Sequence, residues 1–162
     1  SRGYLAPFWL TTRPRNYIGM GGMAAMGWSM GAAIGAKLGR PDQLVFHLIG
    51  DASFGMTGME VETAVRMGIP TLTIIINNGG TGGGRMNMEN STGPPPSMAK
   101  LGGDFSIVAK GLGAYSERIE NPGELIPAYV RAIRATEEGQ AAVVEIMIKP
   151  MATPEAQDDW SL

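Results

Sequence analysis

Residues 43–80 read QLVFHLIGDASFGMTGMEVETAVRMGIPTLTIIINNGG, and the order of patterns within them decides the fold class. The run at 43–49 is apolar and bounded by Pro41 and Gly50, which predicts a short strand buried on both faces. It stops at Gly50-Asp51. Residues 57–68 predict a helix: Thr57 and Glu60 have the spacing of a capping box, and Val61, Ala64 and Val65 fall on one side. Glu62 and Arg66 stand four apart on the other side, where they can pair across one turn. Pro70 ends the connection. Residues 71–76, TLTIII, predict a second strand rich in β-branched side chains and closed by Asn77-Asn78-Gly79-Gly80.

The flanking sequence repeats this alternation. Upstream, a helix is expected from about Gly27 to Gly39, with Arg40-Pro41-Asp42 as the connection. Downstream, a glycine-, asparagine- and proline-rich stretch from Gly79 to about Gly103 is longer than a simple connection needs, which predicts either a functional loop or a mobile one. Arg85, Asn87 and Glu89 within it can face a substrate or belong to a solvated loop, and the sequence does not favour either. A short helix at 104–112 capped by Asp104, a strand at 115–119, a helix at about 124–137 with Pro127 in its early part, and a strand at 141–148 complete the reading. Strands that alternate with helices imply an α/β fold, an open parallel sheet flanked by helices, with residues 1–162 forming one domain.

Composition narrows the function classes. The chain is 44% hydrophobic and 17% charged, a globular balance in which low charge suggests that much of the surface is covered by something else. A net charge of −2 with no long Lys/Arg run argues against nucleic acid as a partner. Without cysteine there is neither a disulfide nor a thiolate metal site, which agrees with a cytoplasmic protein. Residues 16–36 are uncharged, and Gly27, Gly31 and Gly35 stand four apart as in packed membrane helices. Gly19, Gly21 and Gly22 weaken the first part of that stretch and Lys37 follows it closely, so the remaining helix, roughly twelve residues, is too short to span a bilayer. The same glycines are expected to let it approach a neighbouring backbone in a crowded soluble interface.

Ligands of open parallel sheets sit beyond the carboxyl ends of the strands. Two such ends carry polar groups here, and if their strands are neighbours, Asp51 offers a carboxylate oxygen, Asn78 an amide oxygen and a nearby backbone carbonyl a third. Hard oxygen donors of this kind suit Mg²⁺ or Ca²⁺, and Mg²⁺ commonly fills its octahedron with phosphate oxygens and water. Ala52, Ser53 and Gly55 place small residues and backbone N–H groups at a turn leading to a helix, where an anion can be held. Gly19-Met20-Gly21-Gly22 lacks dinucleotide-loop spacing, and Gly82-Gly83-Gly84 has no Lys-Ser or Lys-Thr after it. His47, inside an apolar strand, reads as a buried histidine with a local hydrogen bond, and Met20, Met23 and Met26 read first as core filler.

At residues 50–78, GDASFGMTGMEVETAVRMGIPTLTIIINN resembles the thiamine diphosphate signature that opens with Gly-Asp-Gly and closes with Asn-Asn, including its spacing. Together with GMAAMGWSMGAAIGAKLG at 22–39, the chain from about 17 to 148 resembles the cofactor-diphosphate domain of the acetolactate synthase and 2-oxoacid decarboxylase group. Oxalyl-CoA decarboxylase and sulfoacetaldehyde acetyltransferase are relatives of that group. The resemblance implies thiamine diphosphate and Mg²⁺ as cofactors, with Asp51, Asn78 and the Gly80 carbonyl as metal ligands and Ala52 and Ser53 beside the diphosphate. It also implies that Met26 lies beneath the bent cofactor and that the Ala24 carbonyl holds the 4'-amino group. FAD has no support in these residues.

The activity implied is that of a carboligase or lyase on a 2-oxo acid or related small-molecule carbonyl compound, acetolactate synthase-like, with a decarboxylase as the alternative. A cofactor- or partner-binding module without turnover is the reading from another class. Ala52 departs from the third position of Gly-Asp-Gly, a small-for-small change. No catalytic residue is expected in this chain: the resemblance implies that the glutamate activating the aminopyrimidine belongs to a separate domain or a second chain, and that the enzyme is a homo-oligomer. The opening strand is expected to precede Ser1, and the chain alone is expected to be inactive.

Overall fold

In a computed structural model, residues 9–19, 25–80 and 101–149 are described. Four strands form one parallel sheet in the order β1-β2-β4-β3, where β1 is Phe46–Gly50, β2 Leu72–Asn77, β3 Tyr115–Ile119 and β4 Ala142–Met147. Around it lie α1 (Trp28–Gly39), α2 (Asp51–Thr57), α3 (Glu60–Arg66), α4 (Phe105–Gly111) and α5 (Leu125–Glu137), the last entered through a 3-10 turn at Pro122–Glu124. The expected α/β class and open parallel sheet are both present.

The period-two alternation of a strand sorts the core into two layers. Leu72, Ile74, Ala142, Val144 and Ile146 face Ala128, Ala132 and Ala135 of α5. Small alanines on that helix let it lie close to the sheet. Ile49, Ile75 and Val143 point the other way, onto Met30, Phe54, Val61 and Ala109 from α1, α2, α3 and α4. Each buried Ile or Val contributes roughly 2 kcal/mol relative to exposure, so these two clusters carry most of the stabilisation. Pro127 is the third residue of α5, within the first turn, where its missing N–H costs nothing.

Two local expectations need correction. The strand expected from 43 begins at Phe46, although Leu72 N–H still donates to Val45 O at 3.0 Å and extends the ladder by one residue. Thr57 does not cap the following helix; it ends α2, and its hydroxyl donates to Gly27 O (3.2 Å) and Ser53 O (3.3 Å). No side-chain cap is needed at α3, because Gly58 and Met59 stay in the right-handed helical region and their carbonyls already accept from Val61 and Glu62, both at 3.0 Å. The Glu62–Arg66 pair forms as expected, at 2.9 Å, and Asp104 caps α4 by accepting from Ile107 N–H at 2.9 Å.

The uncharged upstream segment gives a twelve-residue helix, α1, and no helix among the described residues is long and apolar enough to cross a membrane. Its glycines do not act alike. A Cβ on Gly31 or Gly35 would meet nothing within 4 Å among the described residues, so the close backbone approach expected there is absent among them. Gly27 is the crowded one: its φ is +84° and a Cβ would fall 2.5 Å from Thr57 Cγ2.

Candidate functional site

Neighbouring strands bring the two polar motifs together. β1 pairs with β2 in register Gly50↔Ile76, so Asp51 and the Asn77-Asn78-Gly79-Gly80 turn emerge side by side at the carboxyl end of the sheet. Asp51 is the first residue of α2 and is 3% exposed, with Gly50 in an extended conformation before it. The turn leading to a helix that was expected at Ala52–Gly55 is thus already helix, and Ala52 and Ser53 lie half-buried in its first turn. That segment, DASFGMT, is poor in helix formers; it is held by tertiary contacts, with Phe54 buried edge-on to Phe105 at a centroid distance of 5.4 Å.

One nitrogen joins the two motifs. Gly80 N–H donates to Asp51 Oδ2 at 2.9 Å and lies 3.2 Å from Asn78 Oδ1, so a carboxylate oxygen and an amide oxygen converge on the same point. Burial pushes the Asp51 carboxyl above its usual pKa, opposed by backbone N–H groups of Ala52, Gly80, Asp51 and Gly79. Among the described residues Asp51 takes part in no salt bridge. A buried carboxylate without a cationic partner, beside an amide oxygen and next to a turn of backbone carbonyls, is a donor set that fits a hard divalent cation.

The other expected site residues are placed as follows. Met26 is 45% exposed and directly precedes Gly27, whose carbonyl is bonded to Thr57 at the far end of α2, so its segment is tied to the helix that begins with Asp51. Ala24, Arg85, Asn87 and Glu89 lie outside the described residues. His47 is buried as expected, with Nδ1 3.2 Å from Thr73 Oγ1 and Nε2 2.9 Å from Ser29 Oγ.

Sequence reasoning missed two groups. Asn77, expected just beyond the strand at 71–76, is the last residue of β2, 4% exposed, and its side chain bonds Glu145 on β4 and the Gly79 N–H. Glu145 is fully buried. The available signal was the lone charge inside AVVEIM, since an unpaired carboxylate in a central strand is rare. A separate depression at the end of β3, lined by Glu117, Arg118 and Arg131 among others, belongs to the opposite edge of the sheet, and its charges pair with one another.

Residues 1–146 match the family described as "Thiamine pyrophosphate enzyme, C-terminal TPP binding domain". The chain belongs to that family. It is 33% identical over 150 residues to a 2-hydroxyacyl-CoA lyase of Oryza sativa subsp. japonica, covering 88% of this chain and 25% of the lyase. It is 35% identical over 126 residues to the acetolactate synthase large subunit of Corynebacterium glutamicum, covering 74% of this chain and 20% of that subunit. Among solved structures it is similar to the thiamine diphosphate-dependent 4-hydroxybenzoylformate decarboxylase of Rhodococcus jostii RHA1, with a TM-score of 0.67 and 30% identity over 76% of this chain and 23% of the decarboxylase. The chain thus spans about a quarter of the length of such relatives. Within this family the fold and the cofactor, thiamine diphosphate, are those the sequence implied.

Proposed function

We propose that this domain supplies the metal and diphosphate half of the active site in a carboligase or lyase that makes or breaks a carbon–carbon bond beside a carbonyl, acetolactate synthase-like in chemistry. The observation that carries the reading is the Gly80 N–H held between Asp51 Oδ2 and Asn78 Oδ1. Asp51, Asn78 and the Gly80 carbonyl hold Mg²⁺, and the backbone at Ala52 and Ser53 receives diphosphate oxygens. The cation offsets the repulsion that a buried carboxylate would otherwise exert on the diphosphate. Thiamine diphosphate, when bound, supplies a thiazolium ring that adds to a carbonyl and accepts the electrons of the bond broken beside it. This chain's share is to anchor, orient and exclude water: Met26 supports the rings from below, the Ala24 carbonyl receives the 4'-amino group, and the apolar layer under α2 shields the site.

The activating glutamate comes from another domain or a second chain in a cytoplasmic homo-oligomer, and this chain alone is inactive. A decarboxylase is the second reading, favoured by the similarity to the Rhodococcus enzyme. The test is native mass spectrometry of the assembled protein with Mg²⁺ and thiamine diphosphate. One cofactor per copy of this chain, lost in Asp51→Ala and on chelation, is the expected result; undiminished cofactor retention in Asp51→Ala refutes the metal role. Bound cofactor without turnover in the full assembly would instead identify a non-catalytic module.

A further inference from the structure

Glu145 is an expensive residue to bury. It sits in the central strand β4, fully inaccessible, flanked by Val144 and Ile146, which face the α5 layer while it faces α4. Two donors approach its oxygens: Asn77 Nδ2 at 2.6 Å to Oε1 and Ser106 N–H, in the first turn of α4, at 2.9 Å to Oε2. The Arg118 guanidinium on β3 stands 3.6 Å from Oε1 and equally 3.6 Å from Asp104, the residue that caps α4. Replacing a buried ionic network as a whole by well-packed apolar side chains is often neutral or stabilising, so stability alone does not account for a carboxylate here and its presence asks for another reason.

The reason lies in what the carboxylate does to Asn77. A carboxylate only accepts, so it fixes the Asn77 amide with Nδ2 toward Glu145 and Oδ1 away from it. Oδ1 then accepts from Gly79 N–H at 2.9 Å, in a turn where Gly79 takes φ +71°. The next peptide presents Gly80 N–H to Asp51 and Asn78. From Glu145 to Asp51 the donors and acceptors form one chain with a single allowed polarity. If the Asn77 amide turned over, its NH₂ would oppose the Gly79 N–H and its oxygen would oppose the carboxylate.

We infer that Glu145 is a positioning residue for the metal site: acting through Asn77, it sets the turn that aims Asn78 and Gly80 at the cation held with Asp51. The inference rests on the metal role proposed above for Asp51, Asn78 and Gly80. Groups that orient ligands without touching the metal are typically worth about 10–100-fold in metal affinity.

The test is Mn²⁺ binding to the full-length protein in the presence of thiamine diphosphate, read from the free Mn²⁺ signal by electron paramagnetic resonance, with circular dichroism confirming the fold of each variant. Glu145→Gln should weaken Mn²⁺ binding about tenfold or more. Asn77→Ser leaves Glu145 its contacts with Ser106 and Arg118, keeps the charge and should give the same weakening in a folded protein. The double variant Asn77→Asp/Glu145→Gln reverses the polarity of one hydrogen bond and keeps its two neighbours: the new amide at 145 donates to the carboxylate at 77 and accepts from Ser106 N–H, while that carboxylate accepts from Gly79 N–H, and Arg118 gives up its contact at 145 but keeps Asp104 and Glu120 as partners. It should recover binding toward that of the parent. If Asp51→Ala loses Mn²⁺ while Asn77→Ser keeps the parent affinity, or if the double variant binds as poorly as Glu145→Gln, the positioning role is overturned. If Asp51→Ala itself binds Mn²⁺ like the parent, the underlying metal role fails instead.

Discussion

Lowering the pH from 7 to 5 should destabilise this domain through one residue, His47. Its ring is 6% exposed on β1 and is bonded to two hydroxyls, Ser29 Oγ and Thr73 Oγ1, neither of which can compensate a full positive charge. Burial lowers its pKa from the ordinary 6.5 to about 4. Below 6.5 the unfolded chain takes up a proton that the folded chain refuses, so the stability is complete above that pH and declines as the pH falls toward 4. Each pH unit inside the window is worth about 1.4 kcal/mol, giving about 2 kcal/mol at pH 5 and roughly 3 kcal/mol over the whole range. The assay is denaturant unfolding of the parent and of His47→Gln at pH 7 and pH 5, where the contributions of all other groups cancel in the difference. His47 is the only histidine in the chain, so its ring resonance can be followed directly by NMR. Equal pH dependence in the two proteins, or a ring that titrates near 6.5 while the protein stays folded, would refute the reasoning.

Gly27→Ala should destabilise the domain by about 1–3 kcal/mol, measured as a shift in the denaturation midpoint, because it forces a Cβ both into a left-handed conformation and against Thr57 Cγ2. A change below a few tenths of a kcal/mol would mean that the Gly27–Thr57 contact is not held in solution. Met26→Ala should leave Mg²⁺-dependent thiamine diphosphate retention intact in the assembled enzyme and lower kcat on the order of tenfold to a hundredfold through poorer orientation. Unchanged kcat would remove Met26 from the site.

The fold was legible wherever local pattern and tertiary environment agreed. TLTIII and AVVEIM are β-branched runs in a buried sheet, and Asp104 at a helix start finds its backbone donor, so periodicity and capping rules placed them within a residue or two. DASFGMT was opaque for the opposite reason. Its glycine, serine and aspartate disfavour a helix, and only Phe54 in the core and the Thr57 bond to Gly27 O impose one. The Asp51 and Asn78 pair was readable because both stand immediately after strands, yet the group orienting Asn77 was not, since Glu145 lies 68 positions away and meets it only through β2–β4 pairing.

The placement of Asp51 would couple folding to the proposed metal binding. A carboxyl pushed up by burial is a cost to the domain without a cation, and the backbone N–H groups that hold it offset only part of that cost. In the proposed site, a divalent ion at its oxygens would reverse the balance, since the group that opposes the fold would become the one that anchors the metal, and the metal's charge would make room for two phosphates at the same strand end. The same logic explains why the helix carrying Asp51 is built from weak helix formers and clamped at both ends. On the proposed reading its first turn would keep Ala52 and Ser53 small where the diphosphate approaches, while the packing of Phe54 and the hydroxyl of Thr57 hold the helix.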